Sequence, residues 1–172
     1  KVAFTKSVNI VCDNAIDDYT RQRALTVLSE HGFTGTVAST ESKTLSNIYL
    51  GVAGANGLAK AAATKLGLDL SVLTKSGKFD RHVLSLTDAA NGVAQLIIIG
   101  ENTDATFMGL ASLEQMLDAT TTAMPTVTIS DYADLKERGI IEGFYGKPYS
   151  CEVRKDLLRF MMRNKMNCYV YG

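Results

Sequence analysis

The sequence predicts an α/β protein: a domain with a mixed sheet and helices packed on it, followed by one strand, helix and strand unit. Three observations carry that prediction. Short β-rich runs alternate with helical patterns along most of the chain. The run Ala94-Gln95-Leu96-Ile97-Ile98-Ile99 has the near-continuous apolar character of a strand covered on both faces. Finally, Gly139 to Glu142, a helical pattern after Ser150 and Asn167-Cys168-Tyr169-Val170-Tyr171 form a strand, a helix and a strand, a unit that requires parallel strands and a right-handed crossover.

The elements follow in order. Ser7 to Cys12 is the first strand, and Asp13-Asn14 ends it. From Asp17 to about His31, Tyr19, Ala24, Val27 and Leu28 give a helical pattern, with Gly32 placed to terminate it. Thr34 to Ala38 and Asn47 to Val52 are short β-rich segments separated by a polar link, and Leu58 to Leu66 is Ala-rich and helical. His82 to Leu86 alternates as a strand, Asp88-Ala89-Ala90-Asn91-Gly92 supplies a turn, and Ala94 to Ile99 returns. Thr103 is placed to cap a helix whose apolar face is Phe107, Leu110, Leu113, Met116 and Leu117. Thr126 to Ile129 is the last strand of this part, which ends near Ser130, and Asp131 to Glu137 is a polar passage. The strand Gly139 to Glu142 is then expected to be buried. Ser150 caps the final helix, whose Val153, Leu157, Phe160 and Met161 form one stripe facing a sheet.

Composition narrows the function classes. At 172 residues the chain can hold one ordinary domain and a piece of another. With 46% hydrophobic and 21% charged residues it suits a folded domain rather than a disordered one. Its 18 basic and 18 acidic side chains leave no electrostatic footprint for nucleic acid or an acidic membrane surface. The apolar run 94–99 is far shorter than the roughly twenty residues that span a bilayer, so no membrane segment is expected. Cys12, Cys151 and Cys168 are too scattered for a disulfide framework and are expected to be core thiols. Lys1-Val2-Ala3-Phe4 does not resemble a natural start, and the chain is expected to be cut at both ends.

Several candidate sites have simpler readings. The loop Gly51-Val52-Ala53-Gly54-Ala55-Asn56-Gly57 lies between a strand and a helix, where a phosphate could sit. It lacks the spacing of either phosphate-loop pattern, so a plain turn is the better reading. Asp17-Asp18 at a helix start favours the helix dipole. His31 and His82, the two histidines, have no third ligand at usable spacing, so no metal site is expected. Ser150 is in no nucleophile pattern.

The run Arg138-Gly139-Ile140-Ile141-Glu142-Gly143-Phe144-Tyr145-Gly146-Lys147-Pro148-Tyr149-Ser150, with Arg154, Phe160, Asn167 and Tyr169-Val170-Tyr171, resembles the opening of the catalytic barrel of glycoside hydrolase family 84. That family contains bacterial enzymes named hyaluronidases and the β-N-acetylglucosaminidases that remove O-linked GlcNAc from proteins. Upstream, Leu96-Ile97-Ile98-Ile99-Gly100-Glu101, Thr106 to Leu110 and Leu113-Glu114-Gln115-Met116-Leu117 resemble the small α/β domain that precedes the barrel there and in family 20 hexosaminidases. Met108 is a departure, since relatives more often carry a second aromatic residue at that place.

The resemblance implies a domain 2-like α/β domain over residues 1–130, then over 131–172 a linker and the first βαβ unit of a truncated (β/α)8 barrel. In such a barrel the active site lies at the carboxyl ends of the strands, where residues 143–146 fall. From the residues alone, two readings of that loop stand level: a tight turn with aromatic plugs, or a rim of the site. The resemblance implies the second, with the Gly143 backbone contacting a GlcNAc hydroxyl and Gly143, Phe144 and Tyr145 as substrate-binding residues. Glu142 is read as structural support rather than as the catalytic acid, with Arg138 placed to pair with it across the barrel floor. The implied mechanism is assisted by the substrate's own 2-acetamido group and uses an adjacent Asp–Asp pair beyond Gly172, so no catalytic residue is expected in the chain. No cofactor or metal is implied. The expected partners are GlcNAc-containing glycans or glycoproteins and the remainder of the catalytic domain, with no nucleic acid and no membrane. A secreted or cell-surface bacterial enzyme is expected. The alternative is a leading domain that is a non-catalytic carbohydrate-binding or docking module, and the lack of tryptophan leans toward docking.

Overall fold

The computed structural model describes residues 1–89, 93–119, 123–143 and 145–172. The chain runs β1 (Ser7–Cys12), α1 (Asp18–Glu30), β2 (Thr34–Ala38), β3 (Ser46–Val52), α2 (Leu58–Lys65), a 3-10 turn (Ser71–Thr74), β4 (Phe79–Asp88), β5 (Ala94–Gly100), α3 (Thr103–Asp118), β6 (Val127–Ala133), β7 (Gly139–Glu142), α4 (Cys151–Arg163) and β8 (Cys168–Tyr171). The first six strands make one sheet in the order β2-β1-β3-β5-β4-β6, and β7 and β8 make a second, parallel pair. Strands β2, β1, β3 and β5 are parallel, whereas β4 runs antiparallel to both β5 and β6. The sheet is therefore mixed, as the sequence predicts.

Both faces of the sheet are covered, which explains why β3 and β5 are apolar nearly throughout. On one face Ile10, Ile48, Leu50, Leu84, Leu96 and Ile98 meet Ala24, Val27 and Leu28 of α1 and Leu110, Leu113 and Leu117 of α3. On the other, Val11, Tyr49, Val83, Ile97 and Ile99 meet Ala59 and Ala63 of α2 and Leu73 of the 3-10 turn. The Thr106 hydroxyl ties three elements together: it donates to the Gly51 carbonyl at 2.7 Å and accepts from the Gly100 amide at 3.0 Å.

Helix starts follow local chemistry. Asp17 accepts from the Thr20 amide, Asn102 from the Ala105 amide and Ser150 from the Val153 amide. Asn102, not Thr103, is thus the cap of α3, and Thr103 is left to accept from the Asp17 amide at 3.2 Å and bind α1 to α3. α1 closes on Gly32 at φ +79°, the left-handed position a glycine tolerates.

Other expectations need correction. Tyr19 is 84% exposed, because only the Thr20, Arg23, Ala24, Val27 and Leu28 side of α1 meets the sheet. β6 continues past Ile129 to Ala133, since an edge strand pairs through its backbone, here Ser130 with Val83 and Asp131 with His82, whatever its side chains. Ala90, Asn91 and Gly92 of the turn expected at 88–92 lie outside the described residues. β7 is not buried as expected: only Glu142 of its four residues is. Of the α4 stripe only Met161 is buried, Leu157 is half-buried, and Val153 and Phe160 are exposed. Cys151 is exposed rather than a core thiol, and Cys12 and Cys168 are half-buried.

The glycine loop after β3 shows why it is a turn. Asp13, at the end of β1, is 6% exposed and lies against Gly51 and Gly57 at the start of α2, the place an anion would take. A Cβ on Gly57 would come within 1.8 Å of the carboxylate. Burial pushes the Asp13 pKa up more than the neighbouring amides of Ala59, Val52 and Leu58 draw it down. Among the described residues no group of His, Cys, Asp and Glu side chains could hold a metal ion, and no helix is long and apolar enough to cross a membrane.

Candidate sugar-binding loop and its support

Two polar clusters flank the β7–β8 pair, one at each end of the strands. At the amino end, the Arg138 guanidinium donates to the Lys165 carbonyl at 2.8 and 3.1 Å and to the Leu135 carbonyl at 2.7 Å, and it pairs with Asp80. Asn167 accepts from the Arg138 amide at 2.9 Å and donates to the Lys136 carbonyl at 2.8 Å, which sets β7 and β8 in register. Gly139 is required there, since a Cβ would fall 1.5 Å from the Cys168 carbonyl oxygen of β8. Asp80 reaches Arg138 because the β4–β6 ladder breaks register between Phe79 and His82, with Asp80 at φ +50°.

The pairing expected between Arg138 and Glu142 is therefore corrected. The two residues lie at opposite ends of a four-residue strand, and each finds a different partner. At the carboxyl end, Glu142 is 3% exposed and accepts from Arg154 Nε and Nη2, both at 2.8 Å, from the Tyr169 hydroxyl, and from the Tyr149 amide at 3.1 Å. Arg154 also stacks 4.7 Å from the centre of the Tyr171 ring. The Arg154 hydrogen bonds outweigh the cost of burial and hold the Glu142 carboxyl down at about 2. The Tyr169 phenol is correspondingly raised by its bond to Glu142. A carboxylate so held is ionised at neutral pH, and its four hydrogen bonds fix the ends of the elements around it.

The loop that leaves this carboxylate is open to solvent. Gly143 is exposed, with its Cβ position 2.9 Å from the Tyr145 ring, and Tyr145 and Tyr149 are exposed too. Phe144 lies outside the described residues. The structure thus brings Gly143 and Tyr145 together at the end of β7, with Glu142 behind them and Arg138 at the far end. The chemistry this surface can offer is a backbone hydrogen bond and an aromatic ring. Sequence reasoning assigned no role to Arg154, Tyr149 or Tyr169. The available signal was Glu142 itself: a charged residue closing a strand demands a cation, and the first turn of the next helix is where one returns.

A third group of contacts joins this unit to the main sheet. Lys165, left-handed at φ +56°, donates its ammonium to Ser112 and to Asp131, both at 2.6 Å, and lies 3.5 Å from Nε2 of the buried His82. Arg163 approaches Glu114 at 3.3 Å and Asp118 at 2.6 Å, while Glu114 also pairs with the buried Arg23.

Two family models match different stretches of the chain. Residues 1–132 match the glycosyl hydrolase family 20, domain 2 profile, and residues 138–172 match the β-N-acetylglucosaminidase profile. The solved structure of CpGH84D superimposes with a TM-score of 0.87 at 30% identity, over 99% of this chain and 28% of that one. CpGH84B gives 0.74 at 26% identity, over 99% of this chain and 26% of that one. A GH138 enzyme targeting pectin rhamnogalacturonan II shares the fold at a TM-score of 0.61 and 16% identity, over 96% of this chain and 24% of that one. The chain therefore spans little more than a quarter of the length of the family 84 structures it matches. Residues 1–132 belong to the glycosyl hydrolase family 20, domain 2 family, and the chain as a whole resembles the family 84 structures, with residues 138–172 similar to the β-N-acetylglucosaminidase profile.

Proposed function

We propose that this chain is the leading part of a glycoside hydrolase that removes β-linked N-acetylglucosamine from glycans by substrate-assisted, retaining hydrolysis. The observation that carries the reading is the match of residues 138–172 to a β-N-acetylglucosaminidase profile, on a segment whose exposed loop follows the carboxyl end of its first strand. In this proposal Gly143, Phe144 and Tyr145 form one edge of the sugar site. The reacting carboxylates, which polarise the 2-acetamido group and protonate the leaving oxygen, come from the rest of the catalytic domain. The domain division falls near residue 130, and the 172-residue chain alone does not turn over substrate.

The test compares two chromogenic β-glycosides, one carrying a 2-acetamido group and the other a 2-hydroxyl, on the chain extended through the whole catalytic domain. Turnover of the first alone, blocked by a thiazoline mimic of the cyclised intermediate, is the expected result. Equal turnover of both would sink the substrate-assisted mechanism.

A second reading concerns the leading domain. Ser112, Glu114 and Asp118 of α3 and Asp131 of β6 receive Lys165 and Arg163, which favours a docking role for residues 1–130 over carbohydrate binding.

A further inference from the structure

We infer that Glu142 is a positioning residue for sugar binding: its carboxylate staples the two ends of the 143–149 loop, and the Arg154–Tyr169 pair behind it sets where the Gly143 backbone is presented. The inference rests on the proposed role of Gly143 and adds the means by which that role is sustained. Tyr145 is fully exposed, and the Cβ position of Gly146 meets nothing within 4 Å, so these two residues do not pack on the body of the protein. Residues exposed in this way, if untied, would sample many conformations, and a ligand would have to order them on binding.

The chain instead ties the loop from beneath. It departs from the residue that carries the carboxylate, and it returns at Tyr149, whose amide donates to Oε1 of the same carboxylate at 3.1 Å. The carboxylate is itself fixed by the two-pronged Arg154 contact and the Tyr169 hydroxyl, from α4 and β8 respectively. Arg154 is held in turn by the Tyr171 ring and hydroxyl. One buried side chain thus couples loop position to three elements of the unit, leaving Gly143 and Tyr145 outside for a ligand.

Hydrogen exchange on the 172-residue chain tests the staple directly. Glu142→Ala, and more mildly the isosteric Glu142→Gln, should speed exchange of the Tyr149 amide by about tenfold or more, with Ile97, Ile98 and Ile99 unchanged. Unchanged Tyr149 exchange in both variants would overturn the inference. In the full-length enzyme, Glu142→Gln should raise KM for an N-acetylglucosaminide by roughly tenfold while kcat falls much less, a split that mere loss of folded protein does not produce. A loosened Tyr149 with unaltered KM would overturn the positioning role. Absence of turnover by the wild-type full-length protein would count against the hydrolase reading, and the exchange result would still decide whether Glu142 holds the loop.

Discussion

Glu142 and Asp13 are both buried carboxylates at the ends of strands, yet their surroundings push them in opposite directions. Glu142 meets a guanidinium and is held low, whereas Asp13 meets only backbone and glycine, has an Oδ2 with no hydrogen-bond partner, and is pushed up by burial. Asp13 therefore makes Gly57 indispensable. Gly57→Ala should lower stability by about 1–3 kcal/mol, the usual cost of forcing extra volume into a packed site, and a denaturant melt with unchanged midpoint would contradict this. Glu114 makes a comparable case in α3. It is almost completely buried against Arg23, and removing one member of such a pair strands the other charge. Glu114→Ala should cost about 3–5 kcal/mol, measurable by the same melt. None of these pairings was legible in the sequence. Asp13 and Gly57, Arg23 and Glu114, and Glu142 and Arg154 each come from different elements, and only folding brings them together. What the sequence did show was chemical type at a boundary, such as the Ser150 cap, whose partner lies three residues away.

At the level of elements, periodicity located the central strands and helices because both faces of β3 and β5 are covered, so their apolar runs are uninterrupted. It failed at the margins for a physical reason. An edge strand such as β6 pairs through its backbone whatever its side chains, and of the apolar stripe of α4 only Met161 is buried. The contact between α3, β6 and the turn before β8 carries a pH signature. Burial holds His82 neutral and below its usual range, despite Asp131 and Asp80 nearby and with Lys165 reinforcing the effect. The unfolded chain therefore takes up that proton more readily, so this contribution to stability is complete above about pH 6.5 and declines as pH falls below it. His31 opposes it. Burial lowers its pKa, but Asp118 and the Val27 carbonyl outweigh burial and raise it, so its contribution is complete below about 6.5 and fades as pH rises through the folded value. His31→Gln should accordingly steepen the loss of Tm between pH 7.5 and 5.5, values on the order of one unit either side of the free histidine pKa. An unaltered or shallower slope would contradict the assignment.

For the whole molecule, ion pairs link the main sheet and α3 to the β7–α4–β8 unit. Lys165, Arg163 and Arg138 reach Asp131, Glu114, Asp118 and Asp80; of the apolar residues of the unit Met161 is buried, whereas Ile141 is 74% exposed, Phe160 52% and Tyr171 59%. A sheet that has two strands among the described residues, with Ile141 and Val170 exposed on it, should be the less protected part of the chain. Amides of 151–171 should exchange faster than those of Ala94 to Ile99, and Lys165→Ala should widen the gap by about tenfold or more as a charged hydrogen-bonded contact is lost. Equal protection of the two regions would contradict this. The family resemblance was legible because its residues are structural: Arg138, Glu142, Arg154, Asn167, Tyr169 and Tyr171 form the two clusters at the ends of the β7–β8 pair.

That this chain holds the support and one edge of a sugar site, while the reacting carboxylates lie elsewhere in the catalytic domain, can be decided by one paired assay. Release of chromophore from a β-N-acetylglucosaminide is measured for the 172-residue chain and for the same chain extended through the rest of its catalytic domain. No turnover by the first and sustained turnover by the second is expected; hydrolysis by the 172-residue chain itself would show that the reacting groups had been placed wrongly.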